Sequence, residues 1–468
     1  MKAQGNLWIR RACGRLALLT LMVVLSNSIA LAQTAGAAAA DPQPAPAAAA
    51  PTLDTGDTGW VLLSAALVML MTPGLAFFYG GLVRRKNILS ILMQCFILLC
   101  LISVQWMLVG YSLAFGPDVG GKGLIGNLEW MGLKGVLANA ACAVYAPTVP
   151  HQAFMIFQMM FAVITPALII GAFAERIKFS SFCVFTLLWS TLVYDPVAHW
   201  VWGNGGFIGL LGGWRALDFA GGTVVHVNAG VAALAAALFL GKRRGYPHSI
   251  SPPHNLPFAV LGAALLWLGW FGFNAGSALS ANGVAVSAFV ATHLAAAMAG
   301  LTWAAMDWFF HKKPTTLGAI TGAVAGLVSI TPAAGFVDPL GALLIGIGAA
   351  VFPWLAVTFV KNKLGYDDSL DAFGVHGIGG IWGALATGLF AQAAVNPAVG
   401  RNGLFYGCPE QFWIQIKAVA VAAIFSFAMS CLLFWAVDKV MGLRVAEHDE
   451  RVGLDLTQHR EAAYTVID

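Results

Sequence analysis

About eleven times along this 468-residue chain, an apolar run of bilayer-crossing length ends in a charge cluster or a Gly/Pro/Asn turn. The runs fall near residues 59–83, 88–115, 151–173, 179–198, 221–240, 257–279, 286–310, 315–333, 339–360, 373–394 and 411–437. Nothing else in the chain limits its fold so tightly. In hydrocarbon, backbone polar groups must be satisfied within the segment, so successive apolar runs of about twenty residues are helices. Composition agrees, because 59% apolar and 10% charged residues cannot build a water-facing surface. The expectation is an all-α polytopic membrane protein with eleven transmembrane helices. A net charge of +4 gives no reason to expect a nucleic-acid partner.

The cations fall on alternate loops. Arg84-Arg85-Lys86, Arg176/Lys178, Lys242-Arg243-Arg244, Lys312-Lys313, Lys361/Lys363 and Lys439/Arg444 share one side. The other side carries only Lys122, Lys134, Arg215 and Arg401. The positive-inside rule makes the rich side cytoplasmic, with the mature N-terminus outside and the C-terminus inside. The N-terminal segment agrees. Lys2, Arg10, Arg11 and Arg15 precede an apolar run from Leu16 to Leu25 and a small-x-small site at Ala30–Ala32, the pattern of a cleaved signal peptide over 1–32. Residues 33–56 read as an Ala/Pro-rich external lead, 57–441 as the transmembrane domain and 442–468 as a cytoplasmic tail. Cys142 and Cys408 lie in external loops, where either a disulfide or two free thiols is open.

Two acid-to-histidine stretches stand out, Asp218-Phe-Ala-Gly-Gly-Thr-Val-Val-His226 and Asp371-Ala-Phe-Gly-Val-His376. They open the fifth and tenth spans, which run in opposite senses because five is odd. This suggests an inverted five-plus-five repeat, whose shared site lies at the repeat interface. Imidazoles at membrane depth mark function by default, and two on facing helices could share a proton. The competing readings are satisfied core histidines or haem ligands; Gly221-Gly222 and Gly379-Gly380 favour close packing over a haem slot. Taken literally, the span boundaries leave His226 and His376 roughly 15 Å apart in depth. Asp218 and Asp371 precede helices, where a carboxylate either caps free N–H groups or ligates directly, and negative potential toward an external cation is a second role open to Asp218. Phe157 and Phe161 share a helix face, and Trp202 sits just outside the fourth span, where an indole attracts cations or simply belongs to the interfacial belt. His151 and His199 are expected to be interface residues, and His293 a core or interface residue. No metal or cofactor is expected.

Several motifs in order resemble the Amt/Mep/Rh ammonium transporter family from about Asp57 to the tail. They are Met71-Thr-Pro-Gly-Leu-Ala-Phe-Phe-Tyr-Gly-Gly81, Gly171-Ala-Phe-Ala-Glu-Arg176, Asp218 to His226, Trp270-Phe-Gly-Phe-Asn-Ala-Gly-Ser277 and Phe373-Gly-Val-His376-Gly. The resemblance implies a homotrimer with one pore per protomer. It implies that Trp202, Phe161, Ser277 and Phe157 recruit ammonium and that Phe161 and Phe273 gate the pore. His226 and His376 become twin pore histidines beside Trp270, and Asp218 an electrostatic or structural residue. It also implies a PII-type nitrogen regulatory protein as a partner of the tail, through Gly442-Leu-Arg-Val445 and Glu450 to Asp455. An ammonium sensor signalling through that tail is the alternative. The segment between Trp202 and Asp218 is a few residues longer than the family pattern.

Overall fold

The computed structural model describes residues 52–248 and 252–464. The signal-peptide reading and most of the Ala/Pro-rich lead therefore lie outside the described residues.

Eleven apolar helices correspond one to one with the expected spans. They are α1 (Thr55–Leu82), α2 (Arg85–Phe115), α3 (His151–Phe173), α4 (Phe179–Trp202), α5 (Gly222–Leu240), α6 (Leu256–Ala278), α7 (Gly283–His311), α8 (Thr316–Ile330), α9 (Pro339–Leu364), α10 (Phe373–Phe390) and α11 (Pro409–Met441). Ten are long enough to cross a membrane; α8, with 15 residues, is shorter and continues into buried turns at 331–336. A two-stranded ribbon, β1 (Ala141–Cys142) and β2 (Ala146–Pro150), folds over the end opposite the basic clusters. Cys142 and Cys408 are both free thiols.

Two pairs of helices five apart in sequence order pack closely. Helix α1 lies along α6 because Gly262 lets its backbone approach Phe78 and Gly74, and Gly81 meets Asn255 and Ala259. Helices α5 and α10 cross in the same way. Pairing of the first with the sixth and the fifth with the tenth element is the geometry of an inverted repeat.

The basic end is tied together rather than solvated. Glu175 accepts from Arg84 N at 2.8 Å and Asn87 Nδ2 at 2.9 Å and pairs with Arg243 at 3.3 Å. Arg243 also pairs with Asp367 at 3.0 Å. Burial alone would raise the Asp367 carboxyl; the Arg243 hydrogen bonds and the Arg176 charge outweigh it and hold that carboxyl below its usual value. The tail joins this network. Arg244 N donates to Glu450 at 2.9 Å, Leu454 N to Asn87 Oδ1 at 2.9 Å and Ser90 N to Asp455 Oδ1 at 2.9 Å.

His151 and His199 are not interface residues. Each is buried in a polar contact, His151 with Tyr111 Oη at 2.6 Å and His199 with Asp118 at 3.1 Å. The long outer segment 116–150 folds back over the helix ends, with Asp118 reaching His199 and Trp130 packing edge-on against His151 at 4.7 Å. His293 is exposed against Trp267 on the outer face of α7.

Candidate functional site

The two histidines meet. Their ring centroids are 5.4 Å apart with the planes 18° from parallel, and both side chains are buried. The 15 Å depth separation expected from the span boundaries is thus corrected. Neither α5 nor α10 starts at an exposed end of the helix bundle; both starts are buried. The glycine-rich segment 203–221 descends beside α11, held where Leu217 N donates to Gln415 Oε1 at 2.7 Å and Gln415 Nε2 to Leu217 O at 2.8 Å. From the basic end, residues 365–372 do the same, with Asp367 and Asp368 buried. Both helices begin deep in the protein, so the first turns of each reach the other.

Each helix opens with a wide π-helical turn, Gly222–Val227 in α5 and Phe373–Ile378 in α10. Such turns frequently mark functional sites. Each also opens on a carboxylate eight residues before its histidine (218 and 226, 368 and 376). Asp218 accepts from Gly221 N, Gly222 N, Thr223 N and Val224 N at 2.9, 2.6, 2.8 and 3.1 Å. Asp368 accepts from Ala372 N at 3.1 Å and Phe373 N at 2.7 Å. The capping role expected of Asp371 therefore falls to Asp368. Asp371 instead pairs with Lys361 at 2.6 Å, its backbone at φ +60° turning the carboxylate away from the helix start. The equal spacing of eight was the sequence signal that could have found Asp368.

Glycines set how close the two helices come. Gly230 and Gly380 each lie four residues after a histidine. A Cβ on Gly380 would meet His226 Cβ at 2.9 Å, and one on Gly230 would collide with the backbone of Gly377. This contact leaves no slot for a planar macrocycle between the imidazoles.

Above the pair stands a column of rings. His226 stacks on Trp270 at 5.5 Å and on Phe273 at 6.0 Å. Phe273 lies 4.3 Å from Phe161, which meets Trp202 edge-on at 5.8 Å. Hydrogen bonds fix the column. Trp270 Nε1 donates to Thr331 Oγ1 at 2.9 Å, Trp202 Nε1 to Asp218 O at 2.9 Å and Ser277 Oγ to Phe273 O at 2.8 Å.

Two cavities flank the Phe161–Phe273 contact. One of about 370 Å³, at the end opposite the basic clusters, is lined by Phe161, Trp202, Ser277, Asp218 and Gln158, with Leu210 and Leu211 from the lengthened segment at its mouth. The other, of about 390 Å³, runs from Phe273, Trp270, His226 and His376 to the basic end. Phe157 lines neither. It is fully buried, edge-on behind Phe161 at 5.0 Å and against Gly276, so its shared helix face is a packing face. Gln158, which the sequence reading missed, does reach the vestibule, and its Oε1 has no protein partner among the described residues. Its position three residues before Phe161 was the available signal. Both ring nitrogens of His226 and Nδ1 of His376 are likewise without protein partners.

Two vestibules meeting at an aromatic plug, with paired imidazoles at the crossing of two buried helix starts, mark a polytopic membrane protein built around a central pathway. The chain belongs to the Ammonium Transporter Family, whose profile matches residues 59–464. It is 54% identical over 413 residues to an ammonium transporter of Bacillus subtilis, covering 88% of this chain and 99% of that protein. The crystal structure of Saccharomyces cerevisiae Mep2 superposes with TM-score 0.78 at 37% identity, covering 85% of this chain and 91% of that one. A solved structure described as a sensor Amt protein superposes with TM-score 0.77 at 31% identity, covering 86% of this chain and 98% of that one.

Proposed function

We propose that this chain conducts ammonium selectively across the cytoplasmic membrane as ammonia. The observation that carries the reading is the Phe161–Phe273 contact at 4.3 Å, with His226 directly beneath it. Ammonium and potassium are alike in size and charge, so a binding site alone separates them poorly. An apolar constriction penalises any ion that must shed water there. Ammonium alone escapes by giving up its proton, since desolvation disfavours its charged form.

In this mechanism the cation is recruited in the outer cavity beside Trp202 and Phe161, with Ser277 Oγ and Gln158 Oε1 accepting its N–H bonds and Asp218 supplying negative potential. Ammonia passes Phe161 and Phe273. It then travels along the imidazoles of His226 and His376, whose unpartnered nitrogens accept or donate as it moves, beside Trp270. Asp218 and Asp368 hold the two helix starts that carry the histidines; Asp371 and Phe157 support the site by pairing and packing. The basic end faces the cytoplasm, residues 1–32 are a cleaved signal peptide, and the protein works as a homotrimer. The tail, packed against α2, is a regulatory element offered to a PII-type protein.

Methylammonium uptake into proteoliposomes tests the pore. The His226→Ala/His376→Ala protein should lose selective, saturable uptake, and unchanged uptake would remove the histidines from the mechanism. A second reading, ammonium sensing, is favoured by the likeness to the sensor Amt structure and by the docked tail. Deleting residues 442–468 separates them: transport alone predicts altered flux, sensing predicts intact flux with a lost ammonium response in the cell.

A further inference from the structure

We infer that Asp307 forms a second cation station, for ammonium or a small alkylammonium, at the cytoplasmic end of the inner cavity. The inference rests on the transport reading above.

The cavity that begins at the twin histidines is lined at its far end by two carboxylates among the described residues, Asp307 and Asp371. They differ in their partners. Asp371 is neutralised by Lys361 at 2.6 Å. Asp307, with 5% of its surface exposed, accepts two hydrogen bonds from neutral groups, Trp354 Nε1 at 3.1 Å and Thr315 Oγ1 at 2.8 Å. Its ion-pair neighbour among the described residues is His311, whose Nδ1 stands at 3.5 Å and whose side chain is 54% exposed. Each carboxylate oxygen accepts from about two donors, so the Trp354 and Thr315 bonds leave acceptor capacity on both. A mostly buried anion held by neutral donors favours a mobile countercharge.

The walls select what that charge is. Trp303 and Trp354 line the same cavity, and indoles are the best aromatic partners for a compact cation. The Thr315 and Thr321 hydroxyls add acceptors for N–H bonds. Ammonia leaving His376 enters this cavity, and once it has taken up a proton there the ammonium ion meets Asp307 before bulk water. The station thus sets the affinity with which the protein holds its product on the inner side.

The test compares methylammonium efflux with influx in proteoliposomes of determined orientation. Asp307→Asn removes the charge and should raise the ratio of inner to outer half-saturation by about ten-fold. His311→Ala removes the competitor for Asp307 Oδ1 from an exposed position, so it should fold, and it should lower that ratio. Shifts of opposite sign in the two variants support the station. An unchanged ratio in His311→Ala, or equal loss of flux in both directions in Asp307→Asn, means a carboxylate that only ties α7 to α8 and overturns it. Wild-type protein without saturable flux in either direction would overturn the transport reading itself.

Discussion

Gly380→Ala and Gly230→Ala test whether the approach of α5 and α10 sets transport. The Cβ on residue 380 would sit 2.9 Å from His226 Cβ, 3.0 Å from Val227 N and 3.2 Å from Gly222 O, where ordinary contacts are 3.4–4 Å. The helix starts must therefore separate by roughly 0.5–1 Å, since a close-packed interior has no slack to absorb the methyl. Overpacking of this kind costs about 1–3 kcal/mol. At residue 230 the intrusion is deeper, because the atoms met are the backbone of Gly377 and His376, which cannot rotate away. Its cost should lie at or above the upper end of that range. Either change widens the 5.4 Å spacing of the imidazoles. A misplacement of about 1 Å between groups that exchange a proton can slow transfer by about 100-fold. The expected order of methylammonium flux is wild type, then Gly380→Ala, then Gly230→Ala, with thermal stability in detergent following the same order. Full flux and full stability in Gly230→Ala would refute the idea that backbone contact places the histidines.

Other perturbations follow from single contacts. Asp368→Ala leaves two backbone N–H groups at the α10 start without their acceptor and should destabilise by about 2 kcal/mol, whereas Asp371→Ala, in a partly exposed pair, should cost about 1 kcal/mol or less; thermal unfolding compares them. Phe273→Ala removes half of the plug between the cavities, so a potassium current absent from wild type should appear in planar bilayers. The Asp367 carboxyl is held below the ordinary carboxylate range, so its contribution to stability is complete above that range and is lost as pH falls through the lower folded value. Wild type should lose more stability than Asp367→Asn between pH 4 and pH 2.5, measured by unfolding in detergent.

What the sequence made legible follows from the solvent. A bilayer demands an apolar helix of fixed length, so the eleven spans appear as composition, and α3 begins and ends where its apolar run does. Chemistry at a helix start is legible too, as acid, glycine and histidine at fixed spacing. Depth was not. The same apolar residues line a helix whether it begins at a surface or midway through the protein. The loops that carry α5 and α10 inward, 203–221 and 365–372, are rich in glycine and aspartate like ordinary turns. Their descent depends on Gln415 of α11 and Arg243 of the α5–α6 loop, nearly 200 and over 120 residues away in sequence. Asp371 reads as the cap because it lies next to the apolar run; that Asp368 takes the role depends on backbone turn geometry at φ +60°, which composition does not record. Phe157 was placed with Phe161 because helical spacing gives a shared face without saying whether that face meets a cavity or a neighbour.

In the pore proposed above, the buried helix starts let the histidines face each other without attracting a cation. Helix N-termini carry roughly half a positive charge each, and α5 and α10 bring two of them to the middle of the protein. Left uncompensated, that field would disfavour any cation near His226 and His376, including a protonated imidazole. Asp218 and Asp368 sit on those two ends and cancel most of it through six N–H bonds. What remains is a centre near neutrality, desolvated and lined by rings, in which neither cation nor anion is favoured. Asp218 therefore has two roles in the proposed conduction, while Asp368 serves only the α10 end. Facing outward, Asp218 draws a cation into the vestibule; facing the helix, it removes the positive field that would hold an anion in the pore. A neutral base is the species such a centre passes, and the inverted repeat is what lets one acid per half build it from both ends.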